Sequence, residues 1–283
     1  MFTYEPIDLN DYVRTGEGGT AVSYTHKSRP SLAKLYNPGF EADRSREEFL
    51  TARAVYGMGI PTPRPYRLVT DGTRYGAEYE LIHGKRSFTR ILSEEPQRLE
   101  ELSREFARRA RELHAKQADT ALIHPYKEVL RQFYLEKKLV PDSFGRQCLA
   151  FLDTLPDTAT CLHGDLHIGN IITDGQRTLW IDVGEFGYGV PEWDLSLMWT
   201  ICNRMNEKRA MELFHVTPET LKAHWDIFLP VYLGTDDPQE LKAFTRRLLP
   251  FYAIKVPYVY DMANHGARPA EFFQQFSPLL PKV

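Results

Sequence analysis

One short stretch constrains this chain more than any other: His163-Gly-Asp-Leu-His-Ile-Gly-Asn170, followed closely by Trp180-Ile-Asp-Val-Gly-Glu185. Asp, Asn and Gly are common turn formers, and a turn accounts for any one of these residues alone. A turn accounts neither for the spacing of Asp165 and Asn170 nor for the Asp at the far end of the next apolar run. An Asp, an Asn and a second Asp, Asp165, Asn170 and Asp182, suit a hard cation such as Mg²⁺, which takes a few oxygens from protein and keeps water and phosphate oxygens for the rest of its shell. The remaining Asp is then free to orient a hydroxyl. Together these are the elements of phosphoryl transfer.

Upstream, the chain supplies what such chemistry requires. Residues 4–13 and 21–24 read as strands around Arg14-Thr-Gly-Glu-Gly-Gly-Thr20. Gly16, Gly18 and Gly19 could cradle phosphate with backbone N–H groups, because glycine tolerates positive φ and has no Cβ in the way. A plain hairpin turn explains the same residues. Ser31-Leu-Ala-Lys-Leu-Tyr36 is an apolar strand with Lys34 inside it. That lysine either snorkels to solvent or is held inward by an anion. Residues 41–57 have helical spacing and carry Glu47 and Glu48, and Gly57-Met-Gly-Ile-Pro-Thr-Pro63 ends the helix. Residues 66–69 and 74–82 read as a hairpin around Asp71-Gly72.

His83-Gly84-Lys85 breaks the strand pattern and marks the expected boundary, with residues 1–83 strand-rich and residues 84–283 helix-rich. Residues 97–116 form a strongly amphipathic helix, with Leu99, Leu102, Phe106, Ala110 and Leu113 in one stripe and arginines opposite. His114, near its end, reads as a packing or capping residue. Further helices are expected over 126–138 and 143–154, then a strand at 171–172, a turn at Asp174-Gly175 and a strand over 178–182. Pro191 opens a helix in which Asp194 stands among large apolar residues, so a structural hydrogen-bonding task is expected for it.

Composition excludes some classes of function. The formal net charge of -3 offers no basic excess for nucleic acid. Cys148, Cys161 and Cys202 lie far apart, without metal spacing or a disulfide framework, which suits a reducing cytoplasm. The first residues show no secretion-signal pattern, and no stretch is long and apolar enough to span a bilayer. A cytoplasmic protein without nucleic-acid or membrane partners, monomeric or weakly dimeric, is expected.

HGDLHIGNI followed by IDVGEFGYGVPEWDLS resembles the aminoglycoside phosphotransferase and choline kinase-like family. The resemblance implies the α+β, protein-kinase-like bilobal fold, with a small antiparallel-sheet N-lobe carrying one helix and a larger helical C-lobe. It implies a nucleotide-binding role for 1–83, and catalytic-loop and acceptor roles for 84–283. Asp165 matches the catalytic Asp, Asn170 and Asp182 the metal ligands for Mg²⁺, Lys34 the phosphate lysine and Glu48 its helix partner. Gly16, Gly18 and Gly19 fall in the nucleotide loop. Glu80 and Ile82 bound the hinge that meets the base of ATP or GTP. His163 would brace the loop, and Asp194 would buttress it from the next helix. Ile168 stands where the family often has proline, Val183 where an aromatic is usual, and Glu185 where a second Asp is frequent.

The function so implied is transfer of the γ-phosphate of a nucleoside triphosphate to a hydroxyl of a small acceptor: a sugar, amino sugar or alcohol. An antibiotic phosphotransferase, a protein kinase and a catalytically silent nucleotide-binding module are the alternatives. The short interval between Asp182 and Pro191 leaves no long activation segment for a peptide substrate. Charges beyond Arg204 alternate in sign, so no acidic cluster for a polycation dominates there. Trp193, Trp199, Trp225, Phe251, Tyr252, Tyr258 and Tyr260 could cage a quaternary ammonium or simply pack a core, and Asp261 and His265 are candidates for bonding a hydroxylated acceptor.

Overall fold

The computed structural model describes residues 3–17, 20–137, 140–264 and 270–282. The chain forms two compact units, one of Met1–Ser87 with Asn170–Phe186, the other of Phe88–Gly169 with Gly187–Val283.

The first unit opens with β1 (Glu5–Pro6), β2 (Tyr12–Glu17), β3 (Ala21–His26) and β4 (Ser31–Tyr36), then helix α1 (Ala42–Gly57), β5 (Pro65–Thr70) and β6 (Tyr75–Glu80). They make a sheet of order β1-β5-β6-β4-β3-β2, antiparallel except where β1 runs parallel to β5. The strand expected over 4–13 is broken, because Leu9–Asp11 forms a 3-10 turn capped by the Asp8 side chain.

Alternation along β4 sorts its residues between two faces. Ala33 and Leu35 are fully buried with Tyr12 and Val69 on one face. Lys34 therefore points to the other face, where Leu68 and Ala77 pack on Phe49 of α1. Gly76 lies opposite Leu35, so close that a Cβ would come within 1.9 Å of the Lys34 carbonyl oxygen. Met58 N–H closes the last turn of α1 on Ala54, and Gly59, at φ +70°, turns the chain away.

After β7 (Arg86–Ser87) the chain enters the second unit through α2 (Phe88–Glu94), α3 (Leu99–His114), α4 (Tyr126–Glu136), α5 (Asp142–Thr154) and β8 (Cys161–Leu162). The chain then returns to the first unit as the hairpin β9 (Ile171–Thr173) and β10 (Thr178–Trp180). Sequence analysis places one boundary at residues 83–85. The division is instead discontinuous, because β9 pairs with β7 and the hairpin joins Ile82, Ile172, Leu179 and Ile181 in one apolar cluster.

The second unit resumes with β11 (Gly187–Tyr188), antiparallel to β8, and α6 (Glu192–Arg204), α7 (Glu207–Phe214), α8 (Pro218–Leu233), α9 (Pro238–Arg247), α10 (Leu249–Asn264) and α11 (Ala270–Gln274). The expected stripe of α3 is buried at Leu102, Phe106, Ala110 and Leu113, and α3 packs on α8. A second core gathers Trp193, Phe251, Tyr134, Phe144 and Phe276. No helix among the described residues is long and apolar enough to cross a membrane.

Candidate active site

The first unit holds a cavity of about 230 Å³, lined among others by Lys34, Glu48, Tyr79, Glu80, Ile82 and Asp182. Strand alternation aims Lys34 into it, and its Nζ donates to Asp182 Oδ1 at 3.0 Å. Burial favours the neutral amine, but the carboxylates of Asp182 and Glu48 outweigh it and hold the pKa of Lys34 above its ordinary value. Asp182 sits in the left-handed region, φ 59° and ψ 47°, at the start of the 3-10 turn Val183–Glu185. Few side chains tolerate that region, and a strained backbone at such a residue is characteristic of functional positions.

Asn170 and Asp182 flank one end of the β9–β10 hairpin. Ile171 pairs with Trp180, and the Ile181 N–H donates to the Asn170 carbonyl at 3.0 Å. The hairpin thus places an amide and a carboxylate at the same end of a short rigid element. Among the described residues no group of three or more His, Cys, Asp or Glu could hold a metal. Two protein oxygens suit Mg²⁺ that shares its shell with phosphates, so the donor set fits that ion.

Glu48 lines the same cavity but does not take Lys34 directly. The Tyr36 hydroxyl donates to Glu48 Oε2. Burial and the nearby Tyr79 and Glu48 raise the Tyr36 pKa well above the ordinary range, so it remains a donor. Gly184 makes room for this arrangement, since a Cβ there would lie 3.1 Å from Glu48 Cγ and Cδ.

Glu80 and Ile82 also line the cavity. The Glu80 side chain accepts from Arg177 at 2.9 Å and from the Arg64 N–H at 3.3 Å. The three glycines expected to cradle phosphate divide. Gly16 lies in β2 at a register shift opposite Ser23 and does not line the cavity, whereas Gly18 and Gly19 lie outside the described residues.

In the second unit, Asp165 follows β8 on a loop framed by the β8–β11 pairing. Asp194 and Lys255 hold the backbone of this loop, and His114 braces Asp194. The Asp194 carboxylate, fully buried, accepts the N–H of His163 at 2.7 Å and of Gly164 at 2.9 Å. Burial disfavours its charge, but the bond from His114 and the charges of Lys255 and His114 hold the Asp194 pKa below its ordinary value. An ionised carboxylate only accepts, so His114 Nε2 donates to it at 3.1 Å and Nδ1 is left for the Tyr232 hydroxyl at 2.8 Å. Lys255 Nζ donates to the Gly164 carbonyl at 2.7 Å.

The Asp165 side chain is 40% exposed and faces His167 Nε2 at 3.5 Å. His167 Nδ1 accepts the Gly169 N–H at 3.1 Å, which leaves the proton of the neutral ring on Nε2, toward Asp165. Burial raises the Asp165 pKa, but His167, His163 and Lys255 more than offset this and hold it below the carboxylate range.

Sequence reasoning missed the parts played by His114 and Lys255. His114 is a bridge from Asp194 to Tyr232 rather than a helix cap. Lys255 was visible only as the single charge in the apolar run Phe251-Tyr-Ala-Ile-Lys-Val-Pro-Tyr258. The candidate acceptor residues fare differently. Asp261 is paired with Lys137 at 2.6 Å, and His265 lies outside the described residues. Trp193, Trp199, Trp225, Phe251 and Tyr258 are buried as core, Tyr252 is partly buried, and Tyr260 is exposed.

Comparison with known proteins gives the class to which the chain belongs. Residues 12–219 match the model of the phosphotransferase enzyme family, and the chain belongs to that family. A methylthioribose kinase of Bacillus cereus is 27% identical over 92 residues, 31% of this chain. The match spans only 22% of that relative's length. Among solved structures, a choline/ethanolamine kinase family protein from Mesorhizobium loti superposes with a TM-score of 0.57 at 15% identity, covering 96% of this chain and 88% of that one. An aminoglycoside phosphotransferase of Streptomyces rimosus, in complex with ADP and streptomycin, superposes with a TM-score of 0.53 at 16% identity, over 85% of this chain and 92% of that one. At these identities the solved structures speak for the fold, which is α+β as expected.

Proposed function

We propose that this protein is a small-molecule kinase that transfers the γ-phosphate of ATP, or of GTP, to a hydroxyl of a sugar, amino sugar or alcohol. The observation that carries the reading is the Lys34–Asp182 pair inside the cavity, with Asn170 at the same end of the hairpin as Asp182. Membership of the family and the fold shared with an ADP-bound phosphotransferase support it. A silent binding module would have no need of a sequence that carries Asp165 as well as Lys34, Asn170 and Asp182.

In this reading Lys34 binds the α/β-phosphates, and the backbone around Glu80 and Ile82 meets the base. Asn170 and Asp182 would hold Mg²⁺, which would neutralise charge on the phosphate oxygens. Asp165, a weak base because its pKa is held low, orients the acceptor hydroxyl and receives its proton late. The acceptor oxygen forms its bond to the γ-phosphorus as the β–γ bridge breaks, and the nucleoside diphosphate leaves.

The acceptor is uncharged or weakly charged. Asp261 is neutralised by Lys137, and the tryptophans that could form a cation cage are packed in the core. A thermal-shift assay with MgATP and MgGTP, followed by a coupled screen of hydroxylated metabolites and aminoglycosides, tests the proposal. Stabilisation by nucleotide and turnover with a neutral polyol or sugar is expected. No stabilisation by either nucleotide would leave a silent module.

A further inference from the structure

Lys255 is fully buried, an uncommon setting for an ammonium group. Taking such a charge out of water costs several kcal/mol unless its hydrogens are well used. Its Nζ donates to the Gly164 carbonyl at 2.7 Å and the Trp193 carbonyl at 3.2 Å, and lies 4.7 Å from the centre of the Tyr126 ring. The Gly164 carbonyl belongs to the peptide whose N–H is that of Asp165. That N–H points at His163 Nδ1 at 3.4 Å, while Asp194 holds the two N–H groups before it. Lys255 comes from α10, remote in sequence, and grips this peptide from the carbonyl side. Its charge also favours the ionised carboxylate of Asp165.

We propose that Lys255 is a positioning residue of phosphoryl transfer: its buried ammonium, through the Gly164 carbonyl, fixes the peptide that aims the Asp165 carboxylate at the acceptor hydroxyl. The proposal rests on the kinase reading above. A purely structural role makes a contrary prediction. Methionine is of similar length and carries no desolvation cost, and exchanging buried charge for apolar volume is often neutral or stabilising. A structural lysine could then be replaced at no loss of turnover per folded molecule.

The test uses the full chain and the release of inorganic phosphate from MgATP, with water as the acceptor. Lys255→Met, Lys255→Arg and Asp165→Asn are compared with the wild type. Lys255→Met is expected to lower kcat about tenfold or more, because misplacement of a catalytic group by an ångström can cost ~100-fold. Its KM for MgATP should stay within about twofold, as an interaction made only in the transition state requires. Lys255→Arg, which keeps charge and donors, should regain most of the loss. Wild-type kcat in Lys255→Met, or no advantage of Arg over Met, overturns the proposal.

Should Lys255→Met lose its near-UV circular dichroism, Lys255→Gln takes its place with a donor and no charge. It is expected to fall between Arg and Asp165→Asn, and a wild-type kcat in it overturns the proposal equally. The two readings fail separately. A wild type that neither binds nor hydrolyses MgATP, or an Asp165→Asn variant of full rate, removes the kinase and Lys255's task with it. An active wild type, a dead Asp165→Asn and an unimpaired Lys255→Met remove the role of Lys255 alone.

Discussion

Lys34 reaches Asp182, at 3.0 Å, while Glu48 on the neighbouring helix is held by Tyr36. The lysine and the metal-ligand candidate are thus preassembled on one wall of the cavity, and Asp182 is held in a left-handed conformation there. The pair adds little to stability, because the Asp182 side chain is 58% exposed and such pairs contribute about 0–1 kcal/mol. Asp182→Ala puts alanine at φ 59°, so a modest fall in melting temperature, about 2–4 °C for a loss of ~1 kcal/mol, is expected. It should weaken MgATP binding about tenfold or more in calorimetry, or ~1.4 kcal/mol. Equal affinity in the variant would count against a metal role.

Gly184 lies against Glu48, where a methyl group fits only if the glutamate gives way by a few tenths of an ångström. In Gly184→Ala the new Cβ, 3.1 Å from two carbons of Glu48, is expected to shift the carboxylate that Tyr36 holds. The collision is with a side chain, so a destabilisation of no more than about 1 kcal/mol is expected. The KM for nucleotide should rise several-fold, and steady-state kinetics with thermal melting separates the two effects.

Gly76→Ala makes the contrasting case. There the Cβ would meet backbone, 1.9 Å from the Lys34 carbonyl oxygen, and β4 and β6 must part. Overpacking of this kind costs about 1–3 kcal/mol. Urea unfolding of the variant should show that loss together with weaker nucleotide binding, since Lys34 moves with β4.

What the sequence revealed of this architecture follows from how local each signal is. Ser31–Tyr36, Ala42–Gly57 and Leu99–His114 each carry their period within a few turns or pleats, and each was legible. The return of residues 170–186 to the first unit was not, because it depends on β7 pairing with β9 across more than eighty residues of chain. In the same way HGDLHIGN is compact enough to mark Asp165 and Asn170 as candidates, with their separate roles implied by the resemblance. The groups that hold Asp165 in place, His114 and Lys255, look like a helix-end histidine and a stray lysine until α3 and α10 are folded. The Lys34–Glu48 partnership was expected by resemblance, yet Tyr36, one pleat further along the same strand face system, takes the glutamate instead.

Asp165→Asn keeps the side-chain volume and the backbone contacts of Gly164 and His163, so the loop should persist. It loses the carboxylate that orients a hydroxyl and takes its proton, a contribution of about 10²–10⁴-fold. Phosphate transfer should fall by that factor while MgATP affinity, measured by calorimetry, remains that of the wild type. A variant with near-normal turnover would remove Asp165 from the reaction.

His224 is one source of acid sensitivity in the fold. It is buried on α8, bonded through Nδ1 to Ser103 Oγ at 2.8 Å, with Nε2 lacking a hydrogen-bond partner among the described residues. Burial lowers its pKa from 6.5 to about 3. Between these values the unfolded chain takes up a proton that the folded chain refuses. Stability contributed by the neutral ring is therefore full above pH 6.5 and is lost as pH falls from there toward 3. The slope is about 1.4 kcal/mol per pH unit, so between neutral pH and ~4.5 the loss is about 2–3 kcal/mol. His224→Leu cannot take up the proton. Its urea-unfolding free energy should therefore change less over this interval, by about 2–3 kcal/mol relative to wild type. Parallel pH profiles for the two proteins would mean that His224 is protonated within the fold.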